Sequence, residues 1–178
     1  MIKKLLADYP DRFGFSISHT TRSIRGQEQD GVEIMNSSNN QVDYHFTTIP
    51  EMERRIKNHE FIEYAFVHGN YYGTSFKSVE RVIEQKRMCL LDIDIQGVKN
   101  VMKKVPNATT IFITPPSIEE LSKRLHKRQT DSEEAIQLRL KNSVYELEVA
   151  KSLPFTYTIV NDDLERAYQE LVRLLAIQ

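Results

Sequence analysis

The chain has 178 residues, 40% of them hydrophobic and 28% charged, which suits one domain with a sizeable core and room for a small insertion. Its 24 Lys and Arg stand against 25 Asp and Glu, so no general positive field draws in a nucleic-acid backbone and any anion site must be local. The one cysteine, Cys89, allows no internal disulfide, no apolar run approaches the roughly 20 residues of a membrane span, and "MIKKLLADYP" is too quickly polar for a signal peptide. The composition therefore argues for a soluble, cytoplasmic protein with no nucleic-acid and no membrane partner.

In chain order, "FGFSIS" (13–18) predicts a strand, and "SISHTTRSIRGQEQDG" follows with Arg22 and Arg25 three apart. Arginine forks match phosphate bidentately, although an arbitrary arginine pair is more often solvated surface charge. "VEIMNSSNNQV" reads as an irregular surface loop, and "IPEMERRIKN" has the apolar spacing of a helix. "FIEYAFV" predicts a strand carrying Glu63, followed by a turn in which Gly69 and Gly73 flank Tyr71 and Tyr72. Those hydroxyls suit phosphate oxygens, or the rings simply pack. "SFKSVERVIEQ" is a helix, and "MCLLDIDI" a strand in which Cys89 is a small hydrophobe. Asp92 and Asp94 alternate with Leu91 and Ile93, placing both carboxylates on one side of the strand end, where they suit Mg²⁺ or a base; alternatively they cap the helix "IQGVKNVM". "TTIFIT" is a strand. Two helices follow, "SIEELSKRLHKR" and "DSEEAIQLRLKNSVYELEVAKS", with capping boxes Ser117/Glu120 and Asp131/Glu134. Arg124 and Arg128 share one helix face and Arg139 lies on the next helix, able to close a positive lid or to pair locally with Glu120. "FTYTIVN" and "DLERAYQELVRLLA" end the chain as strand and helix. Strands alternating with helices predict an α/β fold with a mainly parallel sheet, in which ligands bind at the carboxyl ends of the strands.

"FGFSISHTTRSIRGQEQDG", "DYHF", "EFIEYAFVHGNYYGTS", "LLDIDIQGVKNV", "PPSIEELSKRL", "RQTDSEEAIQLRL" and "IVNDDLERAY" occur in the order and approximate spacing of the guanylate kinase family, which moves a phosphoryl group from ATP to GMP. The resemblance covers nearly the whole chain. It implies a single domain over 1–178 with a P-loop-kinase-like parallel sheet flanked by helices. The core would be 17–27 and 86–178, with a helical lid at about 117–150 that is mobile over 123–140 without ligand. A small mixed α/β GMP-binding subdomain would occupy about 28–85. It implies that Arg22, Arg25, Tyr44 and Tyr72 hold the GMP phosphate, with Glu28 in the same site, and that Ser18, Glu63, Thr74 and Asp94 read guanine. A carboxylate accepts the guanine N1–H and N2–H₂ donors, an edge adenine lacks. Arg124, Arg128 and Arg139 would neutralise the transferring phosphoryl with Asp92 in the catalytic set, touching Mg²⁺ indirectly. Asn161, with Arg124, would lie beside the adenine of ATP. Mg²⁺ with ATP is the implied cofactor, and the assembly a monomer or weak homodimer.

The sequence departs from the family pattern twice. No G-x-x-x-x-G-K-[ST] loop is present; "GQEQDG" is acidic and followed by Val32 and Glu33, so it does not cradle phosphate. "MIKKLLADYP" resembles the remainder of the helix after that loop, so the family's first strand is missing from the 178 residues. The expectation is an incomplete piece, poorly stable and slow in turnover, with two strands left short of a neighbour. The second departure is "VEIMNSSNNQV" (32–42), which lengthens the link ahead of Tyr44. Two classes of function fit: an enzyme of this lineage, or an inactive module binding phosphorylated peptides at the GMP site. The module has no use for guanine readers, lid arginines or Asn161, and their retention favours the enzyme.

Overall fold

In a computed structural model, the described residues are 1–31, 44–67, 69–128 and 132–175. They form two compact units, Ile2–Pro106 and Asn107–Gln178. The insertion read at 32–42 lies outside the described residues.

The first unit opens with α1 (Ile2–Asp8), which buries Leu5, and β1 (Phe13–Phe15), which pairs in parallel with β6 (Met88–Leu90). The run expected as one strand over 13–18 is strand only at Phe13–Phe15. Ser16 still donates its N–H to the Leu90 carbonyl, and β2 (His19–Thr20) then joins a second sheet ordered β3-β2-β5-β4. There β3 is His45–Phe46, β4 Phe61–Val67 and β5 Asn70–Ser75. The stretch read as a glycine-bent turn is therefore mostly strand. Of the two glycines Gly69, at φ +78°, lies in the turn, and Gly73 lies inside β5 opposite Tyr64. A Cβ on Gly73 would sit 2.9 Å from the Met52 Cε and 3.0 Å from the Glu63 carbonyl oxygen. Glycine is thus required by the close approach of α2 (Ile49–Lys57), whose Met52 is fully buried, rather than by a bend. Thr48 caps α2 and Ser75 caps α3 (Phe76–Glu84), each accepting an N–H of the first turn. Helix α4 (Ile95–Lys104), which follows β6, packs against β4, and its Lys104 donates to the Phe61 carbonyl at 2.9 Å.

The second unit pairs β7 (Ile111–Thr114) in parallel with β8 (Tyr157–Val160). Between and after them come α5 (Ile118–Arg128), α6 (Glu133–Lys151) and α7 (Leu164–Leu174). Ser117 accepts the Glu120 N–H at 3.2 Å, as its capping box predicts. The α6 box is corrected by one residue: Ser132 caps it through the Ala135 N–H, while Asp131 lies outside the described residues. Ile159 of β8, with Ala167, Tyr168 and Leu171 of α7, forms the buried contact of this unit.

Among the described residues β6 pairs only with β1, and β7 only with β8, so each strand of these two-stranded sheets keeps one edge without a ladder partner. No helix among them is long and apolar enough to cross a membrane.

Candidate functional site

The predicted phosphate residues converge in the first unit. The Arg22 fork is bidentate to Glu28, Nη1 to Oε2 at 2.8 Å and Nη2 to Oε1 at 2.9 Å, and Nη1 also donates to the Ser23 carbonyl. The guanidinium lies 5.2 Å from the Tyr44 ring centroid and 5.7 Å from that of Phe46, and the Tyr44 and Tyr72 rings meet edge to face at 6.2 Å. Aromatic faces and a carboxylate hold a desolvated cation in one orientation. The pairing raises the Arg22 pKa and lowers that of Glu28. Glu28 Oε2 also accepts the Arg25 backbone N–H at 2.8 Å, while the Arg25 side chain is exposed. Burial pushes the Tyr44 hydroxyl up, opposed by the charge of Arg22 and helped by Tyr72 and Asp92. Phe46 is a member of this group that sequence reading missed; its place beside Tyr44 in "DYHF" was the available signal.

The predicted base readers form a second group in the same unit. Glu63, 4% exposed, sits in β4 across from Thr74 of β5, whose side chain and backbone both hydrogen-bond it. Burial pushes the Glu63 carboxyl above the usual carboxylate range; the Thr74 bonds oppose this and the charge of Asp94 adds to it. Ser18 and Thr74 hydroxyls are 3.4 Å apart. Asp94 caps α4, its Oδ1 accepting the Gly97 N–H at 2.7 Å, so the capping alternative holds for this residue. Asp92 lies beyond the end of β6 and is exposed, so the two aspartates are not equivalent positions on one strand.

One residue after Ser18, His19 is 7% exposed. Its ring packs on His45 at 4.7 Å and meets the edge of Phe61 at 5.4 Å, and its Nδ1 has no hydrogen-bond partner among the described residues. Burial, then the charges of Arg55, His45 and Arg81, push its pKa down to about 3, against a hydrogen bond to the Gly73 backbone. His45 is lowered too, again first by burial. An unfolded chain binds a proton on His19 near pH 6.5 while the folded one does not until about pH 3. The unfolded state thus holds more protons across that window, and stability falls as pH drops through it, by up to about 1.4 kcal/mol per pH unit per such histidine. Urea titrations between pH 7 and pH 4 are expected to show this slope and His19→Phe to reduce it. An unchanged slope in the variant would assign it to other groups.

In the second unit Arg124 donates Nη1 to the Asn161 carbonyl at 2.7 Å and Nη2 to the Asp162 carbonyl at 3.1 Å, while Nε pairs with Glu120 at 2.9 Å. Sequence reading offered the lid role or the local pair; the geometry brings Arg124 to Asn161 and forms the pair as well. Arg139 is exposed on α6. The Arg128 side chain lies outside the described residues.

Two parallel strand pairs, β1–β6 and β7–β8, a four-stranded mixed sheet and the helices between them define an α/β protein. A family model described as guanylate kinase matches residues 1–178. The chain belongs to the guanylate kinase family. It is 46% identical over 178 residues to guanylate kinase 1 of Oryza sativa subsp. japonica, covering 99% of this chain and 44% of that one. To the guanylate kinase of Schizosaccharomyces pombe it is 41% identical, covering 96% and 80%, and to that of Homo sapiens 38%, covering 99% and 85%. The chain thus spans less than half the length of the rice relative. The crystal structure of guanylate kinase from Anaplasma phagocytophilum superposes with a TM-score of 0.72 at 30% identity, over 98% of this chain and 80% of that one.

Proposed function

We propose that the chain is a nucleoside monophosphate kinase whose acceptor-binding and arginine groups serve phosphoryl transfer from ATP to GMP, giving ADP and GDP. The observation that carries this reading is a buried Glu63 carboxylate, bonded to Thr74 beside Asp94, in the same compact unit as the Arg22 group with its tyrosines. Glu63 accepts the guanine N1–H and N2–H₂, with Ser18, Thr74 and the second oxygen of Asp94 completing the edge. Arg22, Arg25, Tyr44 and Tyr72 take the GMP phosphate, and Glu28 keeps the Arg22 fork oriented. Residues 28–85 serve as the GMP-binding part, and α5 with α6 as the lid. Arg124, Arg128 and Arg139 neutralise the phosphoryl in transit, with Arg124 and Asn161 on the adenine side of ATP. Phosphoryl transfer asks the protein chiefly for position and positive charge.

Among the described residues no three His, Cys, Asp or Glu side chains group to hold a metal. Mg²⁺ keeps several waters and takes one or two carboxylates, so here it would be brought in on the nucleotide phosphates. Asp92, exposed beyond β6, would meet its water shell, and the ion would offset phosphate charge. We place the protein in the cytoplasm, as a monomer or weak homodimer. The Cys89 thiol, pushed up to about 11 by burial, is unreactive, as a structural role requires.

Calorimetry tests the reading. GMP is expected to bind at least about fivefold more tightly than AMP, the low end of about 1–3 kcal/mol for one well-made bidentate base contact. Equal affinities would remove Glu63 and Asp94 as base readers, and capture of a phosphoserine peptide in preference to GMP would favour the inactive module.

A further inference from the structure

Gly97 occupies the third position of α4, where helix propensity alone would choose alanine. Its backbone is not in the left-handed region, so conformation does not explain it. Space does. A Cβ there would lie 2.7 Å from Glu63 Oε2, 3.2 Å from the Ile93 Cβ and 3.3 Å from Asp94 Oδ1. The tightest of these contacts is the end of a side chain rather than backbone. An added methyl would therefore move the Glu63 carboxylate and leave α4 in place. That carboxylate is buried on the β4 side and held by Thr74, so it has few alternative positions.

We propose that Gly97 is a positioning residue for base recognition: the missing side chain is the space that lets the Glu63 carboxylate rest against the first turn of α4, beside Asp94. The inference rests on the reading of Glu63 as the guanine acceptor. In that role the carboxylate must present two oxygens to two parallel donors, and hydrogen bonds weaken steeply once distance or angle departs from the ideal. Helix α4 thereby acts on specificity through a residue that touches no ligand.

Gly97→Ala, Glu63→Asp and the double variant test this in the 178-residue chain, with Gln96→Ala, exposed on the same helix, as control. Three measurements are needed: calorimetric affinities for GMP, IMP and AMP, the melting temperature, and the ¹³C resonance of the Glu63 carboxyl, assigned through Glu63→Gln. Gly97→Ala is expected to weaken GMP by about 10- to 100-fold, the range of one bidentate base contact. The variant should still melt cooperatively, AMP should be unaffected, and GMP should approach IMP, which lacks the 2-amino donor. The Glu63 carboxyl resonance should shift without nucleotide. Aspartate is one methylene shorter and withdraws from the added methyl, so Gly97→Ala should weaken GMP less in the Glu63→Asp background than in the wild type. An unmoved Glu63 resonance, or unchanged GMP affinity in a chain that still prefers GMP to AMP, would overturn the proposal. If wild type shows no such preference, the guanine reading fails, and the carboxyl resonance alone then decides whether Gly97 positions Glu63.

Discussion

Replacing Arg22 with alanine is expected to raise the GMP dissociation constant by about 10²- to 10³-fold while guanosine binding changes by less than about twofold. The Arg22 side chain is 9% exposed, stacked near Tyr44 and Phe46, and its fork is already bidentate to a carboxylate at 2.8 and 2.9 Å. Hydrogen bonds to charged groups contribute about 1.5–3 kcal/mol each, so two to a phosphate account for the upper part of the range. Arg22→Lys is expected to fall between, because an ammonium keeps the charge and loses the fork. Isothermal titration with GMP and guanosine distinguishes the cases. An equal loss for both ligands would place Arg22 away from the phosphate and make its ring contacts purely structural.

A version of the protein with a strand and a G-x-x-x-x-G-K-[ST] loop added ahead of Met1 is expected to transfer phosphoryl groups at least about 10³-fold faster than the 178-residue chain. The 178 residues contain no G-x-x-x-x-G-K-[ST] run, the loop whose amides and lysine grip the donor's terminal phosphates. A single arginine finger is worth about 10³ to 10⁵ in rate, and the cradle with its lysine is of the same order. GMP affinity should differ little between the two versions, since the acceptor residues all lie within Ile2–Pro106. A coupled ADP-release assay measures both. Comparable turnover would mean that another group supplies the donor site.

The long helices, the strands 61–67, 111–114 and 157–160, and the cap at Ser117 were legible because each rests on a local pattern: period, propensity or a side chain meeting an amide three residues on. What escaped depends on contacts distant in sequence. Gly73 reads as a turn in isolation, and only Met52 of α2 and the Glu63 carbonyl reveal it as a strand glycine under close approach. The run 13–18 reads as one strand because propensity carries no record of where the ladder with β6 stops and where the chain enters the second sheet at His19. At the site, the residue types were legible through the family resemblance, whereas their mutual ties were not. That Glu28 fills the Arg22 fork, and that Asp94 spends one oxygen on the Gly97 amide, are matters of geometry that residue identity leaves open.

The Glu28–Arg22 pair makes Glu28 a tethered competitor for any anion arriving at that fork. The carboxylate is six residues from its partner and fastened again to the Arg25 amide, so it is present at an effective concentration of the millimolar order or above. A free inorganic anion at lower concentration is outcompeted by this resident group. A phosphate carried on a base that is anchored separately has its own high local concentration and can share or take the fork. The affinity of the site for a phosphate alone is therefore a poor guide to its affinity for a nucleotide, and the gap between them measures how firmly the chain holds its own carboxylate in reserve.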